Sequence, residues 1–125
     1  METNTRPEDA VAAWVADYER VWREDDGLDR LFTDDVRYWR SPYEEPLDLA
    51  AVRAWWSDPA PFTWTWELVA VQWPTAVVRA EVHYTDDPPR EYRDLWVLHF
   101  ADDGRVDRFE EWPFSPGQPY TQDPD

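Results

Sequence analysis

Charged and apolar side chains alternate in residues 77–84, VVRAEVHY. Because successive side chains of a strand point to opposite faces, Arg79, Glu81 and His83 share one face, and Val78 and Val82 share the other. Carboxylates, and an imidazole with an ordinary pKa of about 6.5, are groups that transfer protons near neutral pH. The charged face either meets water, where ion pairs contribute little stability, or lines a pocket, where it can do acid–base chemistry.

Strand register decides between these two alternatives. The dipeptide Asp103-Gly104 predicts a two-residue hairpin turn that pairs Trp96 with Glu111, so Glu111 shares a face with Asp94. The looser turn over residues 86–90 leaves the register of the preceding strand pair open. In one register Arg79 and Glu81 lie on the same face as Asp94 and Glu111. In the other register Val78, Ala80 and Val82 lie on that face instead.

The apolar pattern predicts an α+β fold in which short helices precede long strands. Val11, Trp14, Val15, Tyr18 and Trp22 have the spacing of one apolar stripe on a helix. The predicted helices cover residues 8–24, 28–32 and 49–56, and the predicted strands cover residues 36–40, 62–73, 76–85, 91–101 and 105–114, with a turn at Thr33-Asp34-Asp35. This order indicates helices on one side of a curved antiparallel sheet.

The composition excludes several classes of protein. With 28 acidic and 12 basic residues the net charge is -16, which argues against a nucleic-acid partner and against anionic membranes. The absence of cysteine excludes disulfides and thiolate metal sites. There is no membrane-spanning run and no signal-peptide core, so we expect a cytoplasmic protein. We expect one domain over residues 8–114, a flexible segment 1–7 and a disordered Pro-rich tail 115–125.

The order and lengths of these elements resemble the nuclear-transport-factor-2-like, or SnoaL-like, superfamily. The resemblance rests on the aromatic first helix and on the stretches LDRLFTDDVRYWRSP (28–42), LAAVRAWW (49–56) and LWVLHFADDGRVDRFEEW (95–112). It implies an α+β barrel, that is, a cone-shaped curved antiparallel sheet closed by N-terminal helices, with a cavity for small, mostly apolar molecules. Because members of this superfamily include isomerases, dehydratases, cyclases, an epoxide hydrolase and binding domains, the fold alone does not choose a function.

Two enzyme families of this superfamily can be compared residue by residue. Ketosteroid isomerases use a helix tyrosine and two aspartates, and Trp14, Ser41 and Leu98 stand at the matching positions here, so we exclude that mechanism. Limonene epoxide hydrolases are more similar. Their Tyr-x-Asn-x-Pro motif matches Tyr38 to Pro42, with Arg40 at the Asn position. Their Arg-x-Asp motif matches Arg79 to Glu81, and their late Asp matches Glu111, so Glu stands at both Asp positions.

The epoxide-hydrolase resemblance implies one carboxylate that activates water, a second that protonates the substrate oxygen, and an arginine between them. It therefore implies that Arg79 and Glu81 face the cavity with Glu111 as catalytic residues, with Tyr38 as a helper and with no cofactor. From their positions on the strands we expect Asp94 and His83 to be further helpers. We expect the ligand to contact Trp14, Tyr18, Tyr38, Arg40, Trp64, Trp96, Leu98 and Phe109. Two histidines on separate strands are a weak metal signal, so we expect no metal.

In the register that places Arg79 inside, the outer face of the sheet is apolar. Its members are Val78, Val82, Tyr84, Leu95, Val97 and Trp112. An exposed apolar patch of this kind predicts a partner surface, which we expect to form a homodimer. Three functions stay open: a domain that binds a small apolar or aromatic molecule, a cofactor-free acid–base enzyme of the hydrolase, dehydratase or isomerase type, and an accessory protein that binds another chain through this face.

Overall fold

The computed structural model describes residues 6–24, 27–56, 61–85 and 88–116. In chain order its elements are α1 (Pro7–Glu24), α2 (Leu28–Leu31), β1 (Phe32–Trp39), α3 (Leu49–Trp55), β2 (Phe62–Gln72), β3 (Thr75–Tyr84), β4 (Arg90–Phe100) and β5 (Val106–Phe114). Most of the predicted flexible N-terminus and Pro-rich tail lies outside the described residues. The helices within those ranges include none that is both long and apolar enough to cross a membrane.

Helix α1 forms where the apolar stripe predicts it. Pro7 occupies its first position, where no amide hydrogen is needed, and Glu8 and Asp9 lie near the positive end of the helix dipole. Its buried side chains are Val11, Trp14, Val15, Tyr18 and Val21. The indole Nε1 of Trp14 donates a 3.0 Å hydrogen bond to the carbonyl of Leu31, so α1 is fixed to the start of β1.

Strand β1 begins earlier than the sequence predicts. The predicted turn at Thr33-Asp34-Asp35 is wrong, because these residues continue a strand that starts at the fully buried Phe32. The pairing of β1 with β5 shifts register between Phe32 and Arg37. This irregularity leaves the two aspartates exposed, so a turn-like polar sequence is accommodated within a strand.

The five strands form one curved sheet in the order β1-β5-β4-β3-β2, which does not close on itself. The pairs β2–β3, β3–β4 and β4–β5 are antiparallel, and β1 joins β5 in parallel. Helix α1 packs on the inner face, where the Trp14 ring contacts the rings of Phe32, Trp96 and Phe109 at centroid distances of 5.9, 6.5 and 6.1 Å. The predicted α+β class with a curved sheet and N-terminal helices is confirmed.

The β4–β5 hairpin has the predicted register but not the predicted turn. Leu98 pairs with Phe109 and Trp96 pairs with Glu111, as the Asp-Gly signal predicts. The turn is longer than two residues, because the last pair before it is Phe100 with Val106, and the register shifts between His99 and Phe100. One extra residue of β5 in this bulge compensates for the longer turn.

The β3–β4 register answers the question left open by the sequence. Ala80 pairs with Asp94, and Val78 pairs with Trp96. The inner face therefore receives Val78, Ala80 and Val82, which are all buried. Arg79 and Glu81 consequently lie on the outer face of the sheet, contrary to the expectation from the epoxide-hydrolase resemblance.

This register also changes the predicted outer surface. Val78 and Val82 are buried on the inner face, and Tyr84 lines an inner cavity. Leu95, Val97 and Trp112 do lie on the outer face, where they are half-buried. The apolar outer patch is therefore half of what was expected, and association as a homodimer through it stays a prediction.

Candidate functional site

A cavity of about 330 Å³ lies against the inner face of the sheet, near the end where β3 and β4 approach their connecting turn. Its walls are largely aromatic, with Tyr18, Trp22, Trp56, Tyr84, Tyr92 and Trp96. Its ionisable side chains besides the tyrosines are Arg40, Arg90, Asp94 and Glu111. An apolar cavity with a few convergent polar groups is the usual form of a small-molecule site.

Two carboxyl groups from neighbouring strands meet at this cavity. Glu111 of β5 is paired with Trp96, and Asp94 is two residues before Trp96 on the same face of β4. The two carboxyls are therefore diagonal neighbours, and each of them shifts the pKa of the other. Because two like charges at close range repel, the pair favours holding one proton between its two carboxyls.

The surroundings assign that proton to Glu111. Burial raises the pKa of Glu111 well above its usual range, and the charge and hydrogen bond of Asp94 raise it further, against the opposing effects of Tyr38 and Arg40. Burial also raises the pKa of Asp94, whereas the hydrogen bond from Glu111 and the nearby indole of Trp96 lower it. The pKa is raised at both carboxyls and more strongly at Glu111, so Glu111 is the favoured holder of the proton and Asp94 is the favoured acceptor.

Two tyrosines extend this cluster into the core. The hydroxyl of Tyr38 donates a 3.1 Å hydrogen bond to Oε1 of Glu111, and the Tyr38 side chain lowers the pKa of the Tyr18 phenol. Burial, followed by the charge of Glu111, raises the pKa of both tyrosines well above the ordinary value. Both phenols therefore stay neutral and serve as hydrogen-bonding groups.

Among the described residues, Oδ1 of Asp94 and Nε1 of Trp96 find no hydrogen-bond partner of good geometry. Asp94 is only 7% exposed and Trp96 only 1%. An unsatisfied buried polar group costs about 1–3 kcal/mol, and such groups are rare outside sites that use them. The carboxyl pair is therefore held at a cost to stability, which is typical of a functional site.

Arginines complete the ionisable groups of the cavity. Arg40 directly follows β1, and its charge lowers the pKa of the Glu111 carboxyl. Arg90 begins β4, and the carbon of its guanidinium lies 4.2 Å from the centroid of the Tyr84 ring. The cavity of this acidic chain thus contains two arginines beside its two carboxyls.

Three of the predicted catalytic residues do not reach the cavity. Arg79 forms an ion pair with Glu67 in which the side chains are 58% and 62% exposed. Glu81 and His83 are also exposed on this outer face. The prediction that these side chains face the cavity is wrong, because the β3–β4 register turns every second residue of β3 outward. Glu111 and Asp94 line the cavity together, and Tyr38 contacts Glu111.

The predicted ligand-contacting residues divide into two groups. Tyr18, Arg40 and Trp96 line the cavity. Tyr38 does not line it, but its hydroxyl donates a hydrogen bond to Glu111, which does. The others pack in the core: Trp14, Leu98 and Phe109 are buried, and Trp64 is partly buried against Trp96 at a ring distance of 5.8 Å. Within the part of the chain that the structure describes, no three His, Asp or Glu side chains are grouped to hold a metal ion.

Sequence reasoning missed several cavity residues, although a signal for some of them was present. Arg90 and Tyr92 follow from Asp94 and Trp96 by strict alternation along β4, and all four line the cavity. Tyr84 pairs with Arg90 and so belongs to the same face. Trp22 and Trp56 approach from the helical side, and no local pattern in the sequence indicates that contact.

Comparison with known proteins agrees with this architecture. No curated protein matches the sequence. The epoxide hydrolase/cyclase-like enzyme SalBIII, described in pyran ring formation in the polyether salinomycin, has a similar structure, with a TM-score of 0.69 and 19% identity over 83% of this chain and 90% of that one. A putative ketosteroid isomerase from Kribbella flavida DSM 17836 has a TM-score of 0.66 and 21% identity over 94% of this chain and 84% of its own.

A third similar structure is ActVI-ORFA from Streptomyces coelicolor, with a TM-score of 0.56 and 17% identity over 82% of this chain and 92% of that one. At these identities the three likenesses show the fold. The sequence itself matches the family model described as a SnoaL-like domain over residues 8–109. The chain therefore belongs to the SnoaL-like domain family.

Proposed function

We propose that this protein is a cofactor-independent enzyme that performs general acid–base chemistry on a small, largely apolar molecule in the inner cavity. The observation that carries the proposal is the adjacent pair of Asp94 and Glu111 at the cavity wall, with Tyr38 donating a hydrogen bond to Glu111. Two carboxyls whose surroundings push their pKa values apart supply a base and an acid at the same pH.

Each carboxyl has one role in a reaction cycle. The Asp94 carboxylate accepts a proton from the substrate, or from a water molecule that attacks the substrate. Glu111 donates a proton to the oxygen or carbon atom of the substrate that gains an electron pair. The new proton on Asp94 then returns to the adjacent Glu111, so the pair regains its starting state. Isomerisation, dehydration and epoxide opening all have this balance of one proton taken and one given.

The cavity walls support the proposed substrate class. Six aromatic side chains surround the carboxyl pair, and aromatic walls favour apolar or aromatic ligands. The similar structures are described as an epoxide hydrolase/cyclase-like enzyme and as a putative ketosteroid isomerase. Epoxide opening and double-bond isomerisation both need a proton acceptor and a proton donor, but the carboxyl pair, rather than this likeness, carries the proposal.

Binding without chemistry is the second candidate function. The large aromatic share of the cavity wall favours it, because such a wall binds apolar molecules whether or not a reaction follows. In this case Tyr38 and Arg40 would simply compensate the buried carboxyls. The accessory-protein alternative depends on the outer sheet face, half of whose expected apolar residues point inward.

A substrate screen separates the two candidates. Wild type, Asp94→Asn, Glu111→Gln and the outer-face control Glu81→Gln are incubated with pooled small epoxides, β-hydroxyketones and unsaturated ketones, and the products are followed by mass spectrometry. We expect a conversion that survives in Glu81→Gln and falls at least about 100-fold in both inner variants. Conversion that persists in Asp94→Asn and Glu111→Gln contradicts the proposal. Binding of pool members without any conversion favours the second candidate.

A further inference from the structure

The indole of Trp96 is held in place by aromatic rings on several sides. The ring of Tyr18 lies 4.7 Å from it, and the rings of Phe109, Trp64 and Trp14 lie 5.5, 5.8 and 6.5 Å away. The side chain is only 1% exposed, and such close packing leaves an indole little freedom to turn. Its Nε1 therefore keeps one direction, and its acceptor has to be a group that reaches this atom.

Nε1 of Trp96 and Oδ1 of Asp94 are complementary atoms in the same buried place. The two residues are two positions apart on the inner face of β4, and both line the cavity. An indole nitrogen only donates hydrogen bonds, whereas the oxygens of a carboxyl group accept them. Within the described ranges these are the only two buried side-chain polar atoms without a partner, and both are closed off from solvent. Bulk water therefore does not satisfy them, and each offers the other what it needs.

A small rotation of the Asp94 carboxyl brings these atoms together. The torsion that turns the oxygens of an aspartate has a broad energy minimum, so the rotation costs little. Burial raises the pKa of Asp94, and Glu111 and then the indole of Trp96 oppose this shift, so the indole lies close to the carboxyl. In surroundings of low polarity a completed hydrogen bond is stronger than in water, and an incomplete one is more costly.

We propose that Trp96 is the positioning residue for Asp94: its Nε1 donates a hydrogen bond to Oδ1, which holds the carboxyl in one orientation and leaves Oδ2 for the cavity. The bond strengthens when Asp94 loses its proton, because hydrogen bonds to a charged acceptor are shorter and stronger. The benefit of this contact to a reaction rests on the proposed function, in which Asp94 is the base. The contact itself requires neither a ligand nor turnover.

The groups that face Asp94 decide which controls the test needs. Glu111 of β5 shifts its pKa, and Tyr38 acts on the pair by its hydrogen bond to Glu111. The other titratable or charged side chains that line the cavity are Tyr18 of α1, Arg40 after β1, Tyr84 of β3, and Arg90 and Tyr92 of β4. Asp94 and Glu111 are the carboxyls of this set, so their two titrations have to be told apart.

The indole ¹H–¹⁵N signal of Trp96 tests the contact directly in wild type. The signal is assigned through the nuclei of its own side chain, and its proton frequency is followed from pH 4 to 8. We expect it to move downfield as Asp94 ionises, because the charged acceptor strengthens the hydrogen bond. The indole of Trp14 donates to the backbone carbonyl of Leu31, which does not titrate, so its signal should stay in place.

Variants assign this movement to one carboxyl. It should be absent in Asp94→Asn and should persist in Glu111→Gln. Trp96→Phe removes the donor and should raise the titration midpoint of Asp94, read from ¹³C-labelled aspartate, by about one pH unit. Trp64→Phe removes the same atoms from a neighbouring ring that is not part of the cavity wall and should leave that midpoint unchanged.

Four results overturn the inference: a wild-type Trp96 signal that does not move with pH, a movement that survives in Asp94→Asn, a movement lost in Glu111→Gln, or the wild-type Asp94 midpoint in Trp96→Phe. If Trp96→Phe does not fold, the first three measurements still decide, because they leave Trp96 in place. A failed substrate screen leaves the Trp96 signal unaffected, and an unmoved signal leaves Asp94 and Glu111 as the acid–base pair, so the two proposals fail independently.

Discussion

The hydroxyl of Tyr38 lies 3.1 Å from Oε1 of Glu111 and donates a hydrogen bond to it across 73 positions of sequence. This contact exists because β1 joins β5 in parallel, which pairs Tyr38 with Phe109 and brings its side chain next to that of Glu111. Through it the aromatic core is linked to the carboxyl pair, since Glu111 also interacts with Asp94 at the cavity wall. A core tyrosine thus takes part in setting the acidity of a cavity carboxyl.

The raised pKa of Glu111 makes the stability of the protein depend on pH. The folded state keeps a proton on Glu111 that the unfolded chain releases near the ordinary pKa of 4.5. Its contribution to stability is therefore complete below that pH and is lost as pH rises toward the folded-state pKa. The free energy of unfolding should fall by up to about 1.4 kcal/mol per pH unit in this window. Urea unfolding between pH 5 and 8 measures the slope.

Two variants provide the comparison for that slope. Glu111→Gln removes the titrating group and should give a flatter profile than wild type. Glu81→Gln removes an equal charge from the exposed outer face and should keep the wild-type slope. An identical slope in all three proteins would show that Glu111 titrates normally in the folded state.

Replacing Tyr38 should make Glu111 a weaker acid. The hydrogen bond from Tyr38 lowers the pKa of Glu111, so Tyr38→Phe should raise that pKa further. The titration of ¹³C-labelled glutamate side chains followed by NMR reports the midpoint. Tyr43→Phe, at a side chain that is 90% exposed, should leave the midpoint in place, and a midpoint that falls in Tyr38→Phe contradicts the assigned direction of the hydrogen bond.

Substitution of Arg79 or Glu81 should hardly change the stability of the protein. Both lie on the outer face, and Arg79 pairs with the equally exposed Glu67. Arg79→Gln and Glu81→Gln should each change the free energy of unfolding by no more than about 0.5 kcal/mol near neutral pH. A loss of about 3 kcal/mol or more in urea unfolding would mean that a buried charge pair is broken, and it would contradict the β3–β4 register.

The buried indole of Trp14 should contribute far more to the free energy of unfolding than the half-buried indole of Trp22. Trp14→Phe removes the donor to the Leu31 carbonyl and leaves that oxygen unsatisfied, which should cost about 2–4 kcal/mol of unfolding free energy. Trp22→Phe removes the same atoms from a half-buried ring that stacks on Phe62 at 3.8 Å and should cost less than half as much. Equal costs for the two variants in urea unfolding would show that the Leu31 hydrogen bond contributes little.

Much of this fold is determined by local sequence. The apolar spacing of α1, the capping of α3 by Asp48, whose side chain accepts from the amide of Ala51, and the alternation along β2 to β5 are set by neighbouring residues. The β4–β5 register also follows from local signals and places Glu111 opposite Trp96. Glu111 and Asp94 could therefore be selected from the strand register as candidates for chemistry, and Tyr38 from the resemblance to epoxide hydrolases.

Only the tertiary structure decided which candidates share a cavity. The β3–β4 turn contains no dipeptide that fixes its length, and a shift of one residue exchanges Arg79 and Glu81 with Val78 and Val82 between the two faces. Burial resolved this choice, because the apolar side chains gain more by facing the aromatic core, whereas a buried Arg79 would lose its hydration. The parallel β1–β5 pairing and the approach of Trp22 and Trp56 are likewise long-range contacts, and no spacing within the sequence encodes them.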